Sequence, residues 1–213
     1  EGVSERTRWD ALGMRATATH GIVLQDVFVP DDAALAIPGS FPRMMQVSRG
    51  SFVGSQLAGT AVYLGAATAV HDFAIHHLRT STFTDTGEPI GTAPFQQQLV
   101  GEMRAHLETA TLWLQRQLEL ETSEPPMRPK DEVVAQWRIA KGAVAESAFA
   151  VGTGALKACG TSNTGNSGLV ARMLRDLSMG LVQAFPAERG RLESAQMIIT
   201  GTAGTSFGGG GRP

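Results

Sequence analysis

The side chains that most often act as metal ligands or nucleophiles are few in this chain of 213 residues, and their spacing does not suit those roles. His71 and His76 are five residues apart, whereas two imidazoles that share a metal ion on one helix are typically four apart. The single cysteine, Cys159, has only Lys157 as a neighbouring basic residue, which favours a buried and inert thiol. Neither a metal centre nor a cysteine nucleophile is expected.

A short glycine motif, Gly152-Thr153-Gly154, could suggest a dinucleotide-binding loop. It lies inside a helical pattern, no strand precedes it, and the third glycine of G-x-G-x-x-G is missing. We therefore predict that these glycines allow two helices to cross closely.

The composition excludes several classes of protein. With 18 Lys and Arg against 20 Asp and Glu, and 42% hydrophobic residues, the chain is neither a basic nucleic-acid binder nor disordered. One cysteine rules out a disulfide framework and favours a reducing, cytoplasmic setting. No apolar stretch is long enough to span a membrane, and the start at Glu1 rather than at Met suggests a partial polypeptide.

The first forty residues have the pattern of β structure. Residues 21–30 are rich in β-branched residues and lie between Gly21 and Pro30, which predicts a strand. Residues 9–19 are expected to add a shorter strand or a turn. Such a pair is marginally stable alone, so we expect it to need partners that this chain does not supply.

From about Gln46 onward the apolar period changes to three or four residues, which predicts long helices. Three prolines in residues 123–129 predict a linker, and Pro186 is expected to open the last helix with Glu188 beside its N-terminus. The expected fold is mainly α, an up-down bundle of long antiparallel helices preceded by a short β segment. The predicted buried stripes are Val53, Leu57, Ala61, Leu64, Thr68, His71, Ile75 and Leu78; Leu99, Met103, Leu107, Ala110, Leu114 and Leu118; Val133, Trp137, Ala140, Val144, Ala148, Val151 and Ala155; and Leu169, Met173, Leu177 and Leu181.

The order of these elements, together with four motifs, resembles the C-terminal half of the acyl-CoA dehydrogenase family. The more specific motifs are WDALGMR at residues 9–15 and DVFVP at 26–30, supported by residues 95–103 and by Leu174-Arg175-Asp176. The resemblance implies that residues 1–42 end a middle β-domain, that 43–204 form the C-terminal helical bundle, and that 205–213 are a flexible tail.

The resemblance also implies an FAD-dependent oxidoreductase of fatty acid metabolism that introduces an α,β double bond into an acyl-CoA. Such enzymes need a carboxylate base, which in most members follows the Arg-Asp motif by nine residues. That position is Ala184 here, and the alternative position, at the start of the first long helix, holds Arg49-Gly50. The nearest acid is Glu188, a candidate base whose favoured role is to stabilise the start of its helix.

Two alternatives remain open. In the flavin-dependent monooxygenases of the same fold, a His commonly follows the Arg-Asp motif, and Gln183 stands at that position here. Gln183 could donate a hydrogen bond, although it cannot take a proton as His can. A non-catalytic helical subunit that completes a flavin site in a homologous catalytic partner would also explain the missing base.

The cofactor residues that the resemblance implies are Arg79, Phe83, Gly160 and Thr161. The family's Arg-x-x-Phe-Gly motif, whose Arg meets the FAD pyrophosphate across a subunit interface, is represented here only by residues 79–84. Gly160 and Thr161 stand where the family usually has a Gly-Gly motif near the adenine end. A homodimer or tetramer is expected, since the family's bundles pair.

Overall fold

Helix α3 (Lys130–Cys159) forms the centre of a bundle in a computed structural model that describes residues 2–30, 53–183 and 186–201. The predicted tail and the Arg49-Gly50 position lie outside the described residues. The irregular segment 123–129 joins α2 (Pro94–Thr122) to α3, as its prolines predict. None of the described helices combines the length and apolarity needed to cross a membrane. The other elements are β1 (Val3–Thr7), β2 (Gly21–Leu24), α1 (Val53–Thr80), α2 (Pro94–Thr122), α4 (Leu169–Val182) and α5 (Ala187–Thr200).

The α3 helix packs against all four other helices, so it must bury several of its faces. Small side chains let the neighbouring backbones approach it, and the predicted stripe from Val133 to Ala155 is buried throughout. Trp137 is the largest side chain in this stripe and is fully buried. The fold class predicted from the sequence is therefore confirmed: long helices in a bundle, preceded by a short β segment.

The two glycines of the Gly-Thr-Gly motif lie at helix crossings, as predicted. A Cβ atom on Gly152 would lie 3.0 Å from Leu177 Cδ1 of α4, and one on Gly154 would lie 2.5 Å from Met103 Cγ of α2. The motif therefore serves packing between α3 and its neighbours.

Helix α5 lies close against α3 through two further glycines. A Cβ atom on Gly142 would come within 2.7 Å of Ala187 Cα, and one on Gly190 would come within 2.5 Å of the Arg138 carbonyl oxygen. The buried Arg138 donates to Glu193, which also accepts a bond of 3.0 Å from Arg189. Backbone contact and an ion pair thus hold the same helix pair.

The predicted buried face of α1 is correct only in part. Leu78 is buried as predicted, whereas Ala61 and Thr68 are exposed. The half-buried residues of the predicted stripe are Leu57, Leu64, His71 and Ile75. The other buried residues lie on a neighbouring face: Thr60, Tyr63, Ala67, Val70 and Ala74. The cause is the partner, because α3 packs where the small alanines of α1 allow close approach, and the larger residues of the predicted stripe lie at its edge.

The β segment also differs from expectation. The strand predicted over residues 21–30 ends at Leu24, because Asp26 turns the backbone into the left-handed region at φ 49°. Its partner is β1, which pairs with β2 in antiparallel register, Val3 opposite Leu24. The second strand is thus Val3–Thr7 and not part of residues 9–19, which contribute a short 3₁₀ turn at Arg15–Thr17. The sheet of the described residues has these two strands, so the expected need for further partners is not contradicted.

We expect Gly190→Ala to lower the unfolding free energy by about 1–3 kcal/mol, since the new methyl group would collide with the backbone carbonyl of Arg138. Gly101→Ala in α2 is the matched control, because a Cβ there meets nothing within 4 Å. The control should gain up to about 1 kcal/mol from helix propensity. Denaturant unfolding followed by circular dichroism measures both, and equal effects would contradict the packing assignment.

Candidate functional site

The structure places the candidate residues at two different ends of the bundle. Lys141 contacts both the C-terminus of α4 and the ring of Tyr63. Arg79 follows Tyr63 by 16 residues on α1, and Gly160 follows Lys141 by 19 residues at the end of α3. At a rise of about 1.5 Å per residue, both lie roughly 24–29 Å farther along their helices. The predicted cofactor residues and the predicted catalytic residues are therefore separated along the bundle.

Arg79 lies at the end of α1, on the wall of a cavity of about 430 Å³. Its guanidinium group is exposed and forms no salt bridge with any described residue. The other residues around the cavity are mainly apolar, with two polar side chains: Ile75, Leu78, Pro89, Gly91, Thr92, Gln97 and Val100. An apolar cavity beside a free guanidinium suits a ligand that combines a flat apolar group with an anion.

Phe83 belongs to the turn that follows α1. Its backbone N–H donates to the Glu88 carbonyl at 2.9 Å and its carbonyl accepts from Gly87 N–H at 2.9 Å. Gly87 has φ 72°, a conformation that favours glycine. The Phe83 ring is half-buried and is not among the residues that line the Arg79 cavity.

Gly160 and Thr161 form the exposed turn after α3. Gly160 ends the helix at φ 64°, and its N–H donates to the Leu156 carbonyl at 3.1 Å. The preceding Cys159 is buried, and burial raises the pKa of its thiol to about 11. The burial predicted for Cys159 is therefore confirmed, and the raised pKa favours the protonated thiol.

At the opposite end, Gln183 terminates α4, and its backbone N–H donates to the Met179 carbonyl at 2.9 Å. Its side chain is half-buried. The next residue, Ala184, where the resemblance expects the base, lies outside the described residues. Its methyl side chain has no group that can accept a proton.

Glu188 lies in the first turn of α5, as predicted, and its side chain is exposed. It lines a cavity of about 310 Å³ between α3, α4 and α5, together with Glu146, which is ion-paired with Arg191. The described residues around Glu188 do not give it the desolvated surroundings that suit a proton-abstracting carboxylate. Its position does suit the stabilisation of a helix start.

Lys141 is the functional candidate that sequence reasoning missed. Its side chain is buried, and its ammonium group donates to the carbonyls of Gly180 at 2.7 Å and Gln183 at 3.1 Å. Burial lowers the pKa of Lys141 to about 8. A signal was present in the sequence, because Lys141 follows Trp137 by four residues and so falls on the predicted buried stripe.

The β segment meets the bundle at the Arg-Asp motif. The Met14 N–H donates to Asp176 Oδ1 at 2.6 Å, and a Cβ on Gly13 would lie 2.1 Å from the Arg175 carbonyl oxygen. The Trp9 indole N–H donates to the Met14 carbonyl at 3.1 Å. Two of the motifs that carried the family resemblance are therefore in direct contact.

Among the described residues, no group of three or more His, Cys, Asp or Glu side chains could hold a metal ion.

Tyr63, whose aromatic ring lies beside Lys141, is also buried, and burial raises its pKa to about 12. The polar chemistry at this end is thus concentrated in Lys141 and in the helix termini around it.

Comparison with protein families matches residues 57–185 to the model described as acyl-CoA dehydrogenase, C-terminal domain. A curated relative is "Putative acyl-CoA dehydrogenase YdbM" of Bacillus subtilis (strain 168), which is 28% identical over 181 residues. That match covers 84% of this chain and 45% of the relative.

Solved structures show the same fold at low identity. FMN-bound TdsC, the dibenzothiophene monooxygenase of Paenibacillus sp. A11-2, matches 97% of this chain and 54% of its own, with TM-score 0.77 and 24% identity. An acyl-CoA dehydrogenase from Geobacillus kaustophilus matches 92% of this chain and 49% of its own, with TM-score 0.73 and 18% identity. The chain therefore spans about half the length of these relatives.

We expect Asp176→Ala to loosen the contact between the β segment and the bundle, because the Met14 amide would lose its carboxylate acceptor. The Met14 amide is partly buried, so the loss of its acceptor should cost on the order of 1 kcal/mol. Trypsin should therefore cleave faster after the exposed Arg15. Asp176→Asn keeps an acceptor oxygen and should have a smaller effect. Asp72→Ala on α1 is the control, and cleavage no faster than in this control would contradict the assignment.

Proposed function

The chain belongs to the acyl-CoA dehydrogenase family through its C-terminal helical domain, and on that premise we propose that it is part of an FAD-dependent oxidoreductase acting on acyl-CoA thioesters. The family resemblance drawn from the sequence is confirmed by the family match. In the proposed reaction a base removes the α proton of the substrate. A bound flavin would supply the acceptor for the hydride that leaves the β carbon.

The observation that carries the proposal is the contact between the β segment and the Arg-Asp motif. The resemblance implies that the flavin ring lies between the β-domain and the bundle. The bond from Met14 to Asp176, and the close approach of Gly13 to Arg175, fix how these two parts meet.

The donor set at the Arg79 end fits the adenosine diphosphate part of FAD. The free guanidinium of Arg79 suits a pyrophosphate, and the apolar cavity beside it suits an adenine ring. FMN, which TdsC binds, lacks the adenylate portion. This difference gives the proposal a direct test.

The separation of the two ends supports a cofactor site shared between subunits. Arg79 would contact the flavin of a neighbouring subunit, while the α4–α5 connection would face the flavin of its own subunit. Several large apolar side chains are exposed on the bundle, which suits a homodimer or tetramer. They include Val62, Leu112, Leu118, Ile198 and Ile199.

The second candidate is a flavin-dependent monooxygenase, and the residues around the α4–α5 connection favour it. No carboxylate stands at the family's usual base position, whereas the amide of Gln183 can donate a hydrogen bond to a substrate oxygen. A non-catalytic assembly subunit is the third candidate. It would bind flavin only together with a homologous partner.

We expect Arg79→Ala to weaken FAD binding by about 10- to 100-fold, because a hydrogen bond between two charged groups would be lost. FMN binding should change little, because FMN has no pyrophosphate. Arg104→Ala, an exposed arginine on α2 paired with Glu108, is the control. Fluorescence titration of both flavins measures the effect, and equal losses for FAD and FMN would contradict the placement of the pyrophosphate.

Anaerobic mixing of the flavin-loaded, full-length protein with acyl-CoA thioesters tests the reaction. We expect bleaching of the flavin absorbance, and Glu188→Gln should keep nearly the wild-type rate, because Glu188 is exposed. Loss of a true general base would instead slow reduction by about 10²–10⁴-fold.

The other outcomes separate the alternatives. The monooxygenase would be favoured by two results together. Acyl-CoA would not bleach the flavin absorbance, and labelled oxygen would enter a product after the flavin is reduced externally. Protein that stays colourless with FAD, alone and with homologous partners, would exclude both enzymes and the assembly subunit.

A further inference from the structure

We propose that Lys141 is a positioning residue, whose buried ammonium group holds the C-terminal end of α4, and with it the candidate residue Gln183, against α3. What Gln183 does in a reaction rests on the proposed function, whereas its placement by Lys141 rests on the contacts alone.

The ammonium group contacts the end of α4. The last carbonyls of a helix lack partners within the helix and carry a partial negative charge. Lys141 donates to two carbonyls in this region, those of Gly180 and Gln183. A cation in this place satisfies the acceptors and complements the charge of the helix end.

The next residue of α3 contacts the other side of the connection. Gly142 lies against the backbone of Ala187, the first residue of α5, where a Cβ would meet Ala187 Cα at 2.7 Å. Adjacent residues of one rigid helix therefore hold the end of α4 and the start of α5.

The surroundings of Lys141 offer little other compensation for its charge. No carboxylate of a described residue lies within salt-bridge distance of it, and the ring of Tyr63 on α1 is 6.0 Å away. The last six residues of α4, from Leu177 to Val182, carry no ionisable side chain. On α5, Glu193 is bound to Arg138 and Arg189, and Glu188 lines the adjacent cavity.

The contact of α2 with this part of α3 is apolar, through Ala110 and Leu114 against Val144. The two backbone carbonyls are thus the main polar partners of the ammonium group. Their loss or displacement would leave a buried cation without acceptors, which is costly. The pair formed by Lys141 and the end of α4 is accordingly expected to move as one unit.

The burial of Lys141 makes the unfolding free energy depend on pH. The pKa of Lys141 is about 8 in the folded protein against 10.5 for an unperturbed lysine. Between these values the unfolded chain binds more protons than the folded one, so the unfolding free energy rises with pH. A variant without an ionisable group at position 141 should lack this rise.

The experiment compares Lys141→Met with Lys141→Arg and, as a matched control, with Lys157→Met at an exposed position of the same helix. Hydrogen exchange followed by mass spectrometry reports on residues 180–190. We expect Lys141→Met to accelerate exchange there by at least about tenfold, from the loss of two charge-assisted hydrogen bonds. Residues 94–110 should be unaffected, and Lys141→Arg should restore most of the protection.

The same variants in the flavin-loaded, full-length protein test the consequence for catalysis. We expect Lys141→Met to keep its flavin and its KM while kcat falls, and the rise of stability between pH 8 and 10.5 to disappear. Should this variant not fold, Lys141→Gln, which keeps a neutral donor, replaces it in every arm.

Unchanged exchange at 180–190, or an unchanged pH dependence of stability, would overturn the proposal. A wild-type protein that no acyl-CoA reduces would instead refute the proposed substrate. The exchange and pH measurements would still decide the role of Lys141.

Discussion

The structure depends on the burial of α3, a helix of 30 residues with neighbours on nearly every side. Burial at this density requires small side chains, and glycines at positions 142, 152 and 154 let other helices come within contact of its backbone. A buried charge is costly unless it is paired or hydrogen-bonded. Arg138 pairs with a carboxylate from α5, and Lys141 donates to carbonyls from α4.

These two buried cations connect the core to the candidate site. Both lie in the first half of α3, and both bind elements that flank the α4–α5 connection. The same contacts therefore pack the core and position the end of α4 and the start of α5. A change to either cation alters the core and the site together, which is why pH and hydrogen exchange are needed to separate the two effects.

The opposite end of the bundle has a different chemistry. There the helices end in exposed turns, and Arg79 stands free beside an apolar cavity. A charged group without a salt-bridge partner among the described residues suits a ligand or a neighbouring subunit. The contact of Met14 with Asp176, near the middle of α4, ties the β segment to the bundle between these two ends.

The sequence by itself determined the family, the long helices, the linker of prolines and the buried stripe of α3, because these follow from local periodicity and from motifs. The tertiary structure alone decided which face of α1 is buried, because that depends on where alanines allow α3 to approach. It also decided that Val3–Thr7 pairs with Gly21–Leu24, since the polar first strand carries no alternating pattern. The separation of Arg79 from Gln183 and the burial of Lys141 likewise arise from contacts between residues far apart in the chain, which no local pattern encodes.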